Sequence, residues 1–330
     1  MSDGIYTAET GLTAFEAGLQ SISNDTSNMN TPGYKGSGVL FADLVGGNGE
    51  GGQGDGVMTV GTAMNFSAGQ LQSTGNPFDL AISGNGFFTL RDSNGNLHYT
   101  QDGQFEFNSN GVLISSATKE DVMAFDKNGN LTTISINDEP TDLGTPTAKV
   151  SFSGNLLPSS SSTATPQNVG SITVIDGEGG SHTLSMTLTP VTGSTGSWTV
   201  SLTDPTTGDT ISPVSGNTLT FAGGTPSTST NTMEMTYKLA DGTSSQFELD
   251  FSSNVTSITS GSSSTLAFSS QDGIPRGTLQ SESFDSTGTL VFSYSNNQTK
   301  NGPQLALANF SSPDQVEAIS SNEFAAKSGG

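Results

Sequence analysis

The sequence lacks cysteine, long apolar runs and a basic N-terminus, and each absence excludes a class of structure or chemistry. Without cysteine, neither disulfides nor thiolate chemistry can contribute. No apolar run approaches the roughly 18 residues that a membrane-spanning helix needs. The first 30 residues contain neither Lys nor Arg, so the basic start of a Sec or Tat signal peptide is missing.

Positive charge is scarce along the whole chain. Only 9 Lys and Arg stand against 31 Asp and Glu, which gives a formal net charge of −22. Such a surface repels phosphate backbones and anionic lipids, so we expect neither nucleic acid nor a membrane as partner. Charged residues make up 12% of the chain, about half the usual share. Ser, Thr, Asn and Gly must cover much of the surface, which favours a mainly β protein over a helical enzyme.

An apolar heptad pattern occupies residues 1–30 and predicts a coiled-coil helix. Its two apolar positions are filled by Ile5, Leu12, Leu19 and Thr26, and by Ala8, Phe15, Ile22 and Met29. Three glycines interrupt it at up to about 1 kcal/mol each against Ala, so we expect the helix to form only against a partner. That partner is either the protein's own β-domain or another subunit, and the pattern leaves both possibilities open.

A strongly encoded turn follows in the stretch "NMNTPGYKGSG", residues 28–38. Pro32 fixes its own φ and disfavours the α region for Thr31, so the helix must end at about Asn30. Gly33 permits a sharp reversal. The segment 31–74 is predicted to be this turn plus a Gly-rich linker. A G-x-G-x-x-G sequence at 47–52 lacks the flanking strand and helix of a dinucleotide-binding motif, so we interpret it as a loop.

From residue 75 onward the pattern becomes β. Short apolar segments alternate with Gly-Asn and Asn-Gly turns at intervals of about ten residues. The composition shifts to Ser, Thr and Pro between residues 145 and 166, and the earlier style resumes near residue 269. We therefore predict a mainly β fold in which one β-rich domain, 75–148 plus 270–330, is interrupted by an inserted second β-domain, 149–269.

Residues for catalysis or metal binding are few. His98 and His182 lie in different predicted domains, and a lone strand histidine is more often a surface residue than a ligand. The stretches beginning at Asp92, Asp126 and Asp285 resemble calcium loops, but Gly stands at the fourth position instead of the sixth, so we interpret them as hairpin turns. No G-x-S-x-G element is present. We predict no enzyme activity, no cofactor, and no catalytic, cofactor-binding or metal-binding residue.

Four segments resemble the bacterial flagellar rod and hook protein family. The stretch "ISNDTSNMNTPGYKGSGVLFADL" is similar to the family's I-x-N-N-I-A-N-x-N-T-P-G-[FY]-K signature, although Asp25, Thr26 and Ser27 depart from it. "GNPFDLAISGNGFF" and "YTQDGQFEFNSNGVL" resemble the family's strand motif and the hairpin after it. "LALANFSSPDQVEAISSNEFAAKSG" resembles the segment before its C-terminal helix. The insertion at 149–269, with "GNL" at its entry, is similar to hook members and not to rod members.

The resemblance implies a structural subunit that self-assembles into a flexible curved tube and transmits torque from rod to filament. In such proteins the N-terminal helix builds the inner tube through its apolar residues, here Ile5, Ala8, Leu12, Phe15, Leu19, Ile22 and Met29. The exit turn sends the chain outward to the β-domains, here through Asn28, Asn30, Thr31, Pro32, Gly33, Tyr34 and Lys35. The implied partners are further copies, the distal rod, the hook cap and the hook–filament junction proteins. The implied location is the extracellular flagellum, reached through the flagellar type III export system without a cleaved signal peptide.

The family also carries a second heptad helix, whereas this sequence ends at "AAKSGG". We therefore expect either a truncated sequence or an unusual paralogue, monomeric in dilute solution and with a mobile N-terminal segment. A rod-type or hook-like paralogue is one alternative. Alternatives of another class are a secreted acidic β-rich adhesin or carbohydrate-binding module, and a glycoside hydrolase with a carboxylate pair.

Overall fold

The computed structural model describes residues 2–44, 56–67, 69–158, 165–206, 210–238, 242, 244–260, 262–312, 315–320 and 322–327. The G-x-G-x-x-G sequence that we interpreted as a loop lies outside these residues. The chain forms two compact units. The first comprises Met1–Glu139, Ser281–Phe292 and Lys300–Gly330, and the second comprises Pro140–Gln280 and Ser293–Thr299. The domain boundaries predicted from the sequence, 75–148 plus 270–330 for one β-domain and 149–269 for the other, stay a prediction.

The predicted mainly β fold with one N-terminal helix is confirmed for the described residues. Helix α1 spans Ser2–Ser27, a 3-10 helix spans Ile136–Asp138, and neither could cross a membrane. The first strands are β1 Ser37–Asp43, β2 Val57–Met64, β3 Phe87–Arg91, β4 Leu97–Thr100, β5 Phe105–Phe107, β6 Leu113–Ser115, β7 Asp121–Phe125, β8 Leu131–Thr133 and β9 Thr141–Asp142. Next come β10 Lys149–Asn155, β11 Gln167–Ile175, β12 Ser181–Pro190, β13 Ser197–Thr203, β14 Thr210–Pro213, β15 Thr218–Ala222, β16 Thr225–Pro226, β17 Thr232–Lys238, β18 Ser244–Asp250, β19 Val255–Thr256 and β20 Ala267–Gln271. The last are β21 Gly277–Phe284, β22 Thr289–Tyr294, β23 Thr299–Leu305, β24 Leu307–Ala308, β25 Val316–Ala318 and β26 Glu323–Ala326.

The first unit is built on a sheet with the strand order β25-β26-β4-β3-β7-β23-β22-β21, joined at its sides by β5, β6, β8 and β24. Its core is rich in aromatic rings. Phe88 and Phe105 meet nearly at right angles with centroids 5.0 Å apart. Phe87 meets Phe310 and Phe324 edge-to-face at 5.7 and 5.6 Å. Each such pair adds about 0.5–1.5 kcal/mol beyond the burial of apolar area, which compensates for a sequence lean in aliphatic residues.

A separate two-stranded sheet lies within the segment that we expected to be a linker. β1 and β2 pair antiparallel from Ser37↔Met64 to Asp43↔Val57, with an irregularity after Leu40. The strands "SGVLFAD" and "VMTVGTAM" carry the β-branched and aromatic residues that favour extended backbone. The described parts of this segment therefore form a hairpin, and the structure differs here from a plain Gly-rich linker.

The second unit is built on a sheet with the order β11-β12-β13-β14-β17-β18-β10-β19, joined at its sides by β15, β16 and β20. Strict alternation explains its strands: along β12, Leu184, Met186 and Leu188 are fully buried, while Ser185 and Thr187 between them lie on the other, half-exposed face. Phe152 and Phe251 stack in the core with centroids 4.6 Å apart. The Ser- and Thr-rich composition thus supplies the outer face of a sheet whose inner face is apolar.

The turns at Asp92, Asp126 and Asp285 are hairpin turns, as predicted. In each, the aspartate Oδ1 accepts the N–H groups two and four residues later at 2.7–2.9 Å. These bonds favour the charged carboxylate. The pKa of Asp92 falls to about 2, chiefly through the Asn96 side chain. The pKa of Asp126 falls chiefly through the Asn130 N–H, and that of Asp285 through the Thr287 side chain.

Replacing all three aspartates by Asn keeps turn-forming side chains but removes the titrating groups. A carboxyl whose pKa is lower in the folded state contributes stability above its unfolded pKa, about 3.9, and loses it as pH falls through the folded value. We therefore expect the unfolding temperature of the wild type to fall more steeply between about pH 4 and pH 2 than that of the triple variant. Circular dichroism melts at each pH measure both slopes.

A control variant replaces Asp43 and Asp138, which lie outside these turns, by Asn. It should keep the wild-type slope. Equal slopes for the wild type and the triple variant would contradict the assignment of acid sensitivity to the three turns.

Candidate functional site: two faces of the N-terminal helix and the exit turn

The large apolar side chains of α1 are exposed. Between 63% and 74% of the surface of each is accessible for Ile5, Leu12, Phe15, Leu19, Ile22 and Met29, and Ala8 is exposed as well. The heptad spacing places them on one side of the helix. We call these seven residues the apolar face. A row of exposed apolar side chains of this kind is a candidate interaction surface.

A different side of α1 packs on the β1–β2 hairpin. Ala14 is 3% exposed there. The Ser21 hydroxyl donates to the backbone oxygen of Ser37, at the start of β1. A Cβ added to Gly18 would lie 3.6 Å from the ring of Phe41. The residues on this side share small size or partial burial, and we call them the small face: Thr7, Thr10, Gly11, Ala14, Ala17, Gly18, Ser21 and Asp25.

The small face gives some of the glycines a structural role. Thr7, Ala14 and Ser21 are seven residues apart, and so are Gly11, Gly18 and Asp25. This is a second heptad stripe made of small residues, which lets the helix approach the hairpin closely. Of the two glycines on this face, Gly18 lies against Phe41, whereas a Cβ added to Gly11 would meet nothing within 4 Å. The glycines that we expected to weaken the helix do not interrupt it, since α1 runs unbroken over Ser2–Ser27. The helix does contact its own β structure, but through the small face and not through the apolar stripe.

The chain leaves the helix through a series of tight turns. α1 ends at Ser27, slightly before the predicted end near Asn30. The Asn28 N–H still donates to Asn24 O at 3.1 Å, and the Thr31 N–H donates to Asn28 O at 2.9 Å. Gly33 then adopts a φ of +70°, in the left-handed region that glycine tolerates best.

The turn is held between two loops of the first unit. A Cβ added to Gly33 would lie 2.8 Å from the Cα of Asp102 and closer still to its backbone nitrogen. On the other side, Asn322 Nδ2 donates to the backbone oxygen of Pro32 at 2.8 Å. Burial raises the pKa of Asp102, and its hydrogen bonds to the Gln104 N–H and to Asn322 partly oppose that rise. Glycine is required at position 33 by both its φ and its packing.

Asp25 fastens the end of the helix to the turn. Its Oδ1 accepts the hydroxyl of Tyr34 at 2.8 Å and the N–H of Ser37 at 3.3 Å. Asn24 Nδ2 donates to the same tyrosine oxygen at 3.0 Å. Partial burial and the Asp25 carboxylate raise the pKa of Tyr34. Asp25 departs from the family signature, and here it joins the helix to both the turn and β1.

Lys35 ties the outgoing chain to the returning chain. It is 8% exposed, and its Nζ donates to the backbone oxygen of Ser67 at 2.8 Å. Burial lowers the pKa of Lys35. Beside it, the Asn65 N–H donates to Gly36 O at 2.8 Å. Phe66, between these two contacts, packs against Phe87 and Phe324 of the β-domain with centroids 5.7 and 5.6 Å apart.

The structure brings the exit-turn residues together and adds four partners that sequence reasoning missed: Asp25, Ser67, Asp102 and Asn322. The departure of Asp25 from the signature was a usable signal, since a half-buried carboxylate also needs donors. Ser67 contributes only a backbone oxygen, and Asp102 and Asn322 meet the turn across long sequence separations. No local pattern encodes such contacts.

Neither histidine is the plain surface residue that we expected. His98 Nδ1 lies 2.8 Å from Glu120 Oε1, and His182 Nε2 lies 2.7 Å from Asp176 Oδ2. Tyr237 contacts His182 Nδ1 at 3.1 Å. Both imidazoles are half-buried, and each has a carboxylate beside it.

Comparison with known proteins decides the family. Residues 81–143 match the model of the flagellar hook protein FlgE/F/G D1 domain. The flagellar hook protein FlgE of Salmonella typhimurium is 30% identical over 345 residues, covering 97% of this chain and 82% of that protein. FlgE of Escherichia coli K12 is 30% identical over 339 residues with the same two coverages. The chain belongs to the flagellar hook protein FlgE family.

Coverage separates this assignment from the rod proteins. The flagellar basal-body rod protein FlgG of Buchnera aphidicola subsp. Baizongia pistaciae is 35% identical over 152 residues, but that match covers 41% of this chain. The FlgE matches span nearly the whole chain, including the inserted segment, so the chain is a structural subunit of the flagellar hook. Its relatives are structural proteins of the flagellum and not enzymes, and none supports the adhesin alternative. The solved structure of Helicobacter pylori flagellar hook protein FlgE2 covers 76% of this chain and 92% of its own, with a TM-score of 0.45 and 13% identity.

Gly33→Ala in this FlgE-family chain should destabilise the docking of α1 and the exit turn. The left-handed backbone alone costs Ala about 1–2 kcal/mol. The overlap with the Asp102 backbone adds to this, because backbone cannot rotate away. Urea unfolding gives the free energy, and hydrogen exchange of residues 2–27 gives the protection of the helix.

Gly129→Ala is the matched control. Gly129 has a similar φ of +81°, but an added Cβ there would meet nothing within 4 Å. It should show the conformational cost without the overlap and should leave helix protection unchanged. If the two variants lose the same stability and the helix stays protected in both, the exit turn is not clamped by Asp102.

Proposed function

We propose that the chain polymerises with further copies of itself into a short, curved, hollow tube that acts as a universal joint between flagellar rod and filament. It transmits torque through packing contacts and has no catalytic turnover. The observation that carries this proposal is the apolar face of α1, because it remains exposed while the helix is already docked on its own hairpin by the small face.

The energetics support assembly through this face. Burying a large apolar side chain contributes roughly 1.5–3 kcal/mol. The six large side chains of the apolar face are each more than 60% exposed, so most of that contribution is still available to a neighbouring subunit. Ordering costs of association reduce it. A lattice of many copies repeats the contact along the tube, so the small favourable free energies of the single contacts sum over the assembly.

The exit turn supports a mechanical role. Torque that enters through a packed helix must leave through the chain segment between helix and β-domain. Three hydrogen bonds hold that segment: Tyr34 to Asp25, Asn322 to Pro32, and Lys35 to Ser67. These three contacts resist rotation of the helix relative to the sheet of the first unit. On the outer surface, weak exposed polar contacts suit subunits that must slide past one another as the tube bends.

The proposed partners are further copies of the chain, the distal rod, the hook cap and the hook–filament junction proteins. The proposed route is export through the flagellar type III channel without a cleaved signal peptide, and the proposed location is the extracellular part of the flagellum. In dilute solution we propose that the isolated chain is monomeric. Seven side chains on one helix fall short of the roughly 20 residues a side that stable pairwise interfaces use.

Leu12→Ser combined with Leu19→Ser tests the apolar face. Both side chains are exposed, so the unfolding free energy of the purified chain should change by no more than about 0.5 kcal/mol per site. Hook assembly should fail, because two serines remove apolar area at the centre of the contact. With the variant as the sole copy in the source cells, electron microscopy should find no hooks, and the folded chain should appear as a soluble monomer in the medium.

The control is Leu307→Ser, which replaces a leucine that is 52% exposed in the first unit, away from α1. Cells carrying it should form hooks. Normal hooks from the double variant would contradict assembly through the apolar face. Retention of the folded variant inside the cells would instead locate the defect in export.

A further inference from the structure

Three side chains from distant parts of the sequence converge on one face of the first unit's sheet. His98 is on β4, Glu120 immediately precedes β7, and Glu323 begins β26. Glu323 pairs with Thr100, two residues after His98. Leu90 pairs with both His98 and Val122, and Val122 is two residues after Glu120. Since side chains two apart share a face, the register places all three on the same side.

Their polar atoms are close enough to share one ligand. One donor atom from each of the three residues lies within 4.8 Å of the other two. Nδ1 of His98 and Oε1 of Glu120 are 2.8 Å apart. Two carboxylates and an imidazole are thereby gathered in a small volume. His98 and Glu120 are half-buried, and Glu323 is 7% exposed.

Two of the carboxylate oxygens lack a donor. Oε1 of Glu323 and Oε2 of Glu120 are buried and accept no hydrogen bond from any residue that the structure describes. The other Glu323 oxygen accepts from the Ser320 hydroxyl at 3.2 Å. A buried carboxylate oxygen without a donor is destabilising, and a cation bound beside it removes that cost. The contact between His98 and Glu120 leaves the Glu323 oxygen unexplained.

We propose that His98, Glu120 and Glu323 form a binding site for a divalent transition-metal ion of the zinc class. Imidazole nitrogen and carboxylate oxygen are ligands that Zn²⁺ accepts, whereas Ca²⁺ takes six to eight oxygens and Mg²⁺ prefers octahedral oxygen. Zinc bonds of about 2.0–2.2 Å put tetrahedral donors roughly 3.4 Å apart. The His98–Glu120 contact opens slightly and Glu323 closes slightly to meet that spacing. Three protein ligands leave a fourth position for water.

The surroundings favour a cation. Repulsion between the two carboxylates disappears when a divalent ion lies between them. The site would also join β26 to β4 and β7. Asn322, next to Glu323, donates a hydrogen bond to the backbone oxygen of Pro32 in the exit turn. An ion bound to Glu323 would therefore also restrict the motion of Asn322.

The test uses the full chain, freed of metal by a chelator and titrated with Zn²⁺ in a calorimeter. We expect one ion per chain and a raised unfolding temperature. His98→Gln and Glu323→Gln should each weaken binding at least about 10-fold. The matched controls are His182→Gln, in the second unit, and Glu317→Gln, an exposed carboxylate on β25. Both should bind as the wild type does.

Co²⁺ in place of Zn²⁺ gives a second readout that does not depend on stability. Because the chain has two histidines, a paramagnetic ion at this site should broaden the imidazole signals of His98 and spare those of His182. No binding to the wild type overturns the proposal. So does equal binding by the His98→Gln and Glu317→Gln variants, or broadening of His182 alone. Should Glu323→Gln fail to fold, His98→Gln and the Co²⁺ signals still decide the outcome.

Discussion

The contact between the small face of α1 and the β1–β2 hairpin fixes which way the helix presents its large side chains. Ala14 is buried, the Ser21 hydroxyl donates to the backbone oxygen of Ser37 at the start of β1, and Gly18 lies beside Phe41. With that side occupied, the apolar face turns away from the hairpin. A helix with only the apolar stripe would bury its leucines against its own hairpin. With two stripes of different side-chain size, one helix docks on its own hairpin and keeps an exposed apolar surface, which we propose contacts other subunits.

The second constraint is the exit turn, which connects the docked helix to the β-domain. We propose that torque passes from the helix to the β-domain through this turn. Gly33 fits against the Asp102 backbone, and Lys35 is buried under the returning chain. Phe66 inserts among Phe87 and Phe324. The chain between helix and β-domain is thus anchored on both its outward and its return passage. A flexible linker would not hold such contacts. A subunit needs them if force is to pass from its helix to its β-domain.

Much of this could be predicted from the sequence because the patterns were local. The heptad spacing located α1 and its apolar face, Pro32 and Gly33 located the turn, and the Asp-x-x-Gly stretches located the hairpins. The hairpin in the expected linker was missed because its Gly-rich centre masked two short β-prone segments. The contact between Gly18 and Phe41 was missed because the two residues are far apart along the chain. The gathering of His98, Glu120 and Glu323 depends on sheet register, which no single stretch encodes.

The most direct test of the central claim uses the absence of cysteine. Leu19→Cys and Ala14→Cys each introduce a single thiol, on the apolar face and on the small face, into a chain that has none. Each is treated with a maleimide, once as soluble chain and once in hooks isolated from the source cells. The account predicts that Cys at position 19 reacts in the soluble chain and is protected in hooks, while Cys at position 14 is protected in both. Equal reactivity at position 19 in soluble chain and hooks would contradict it.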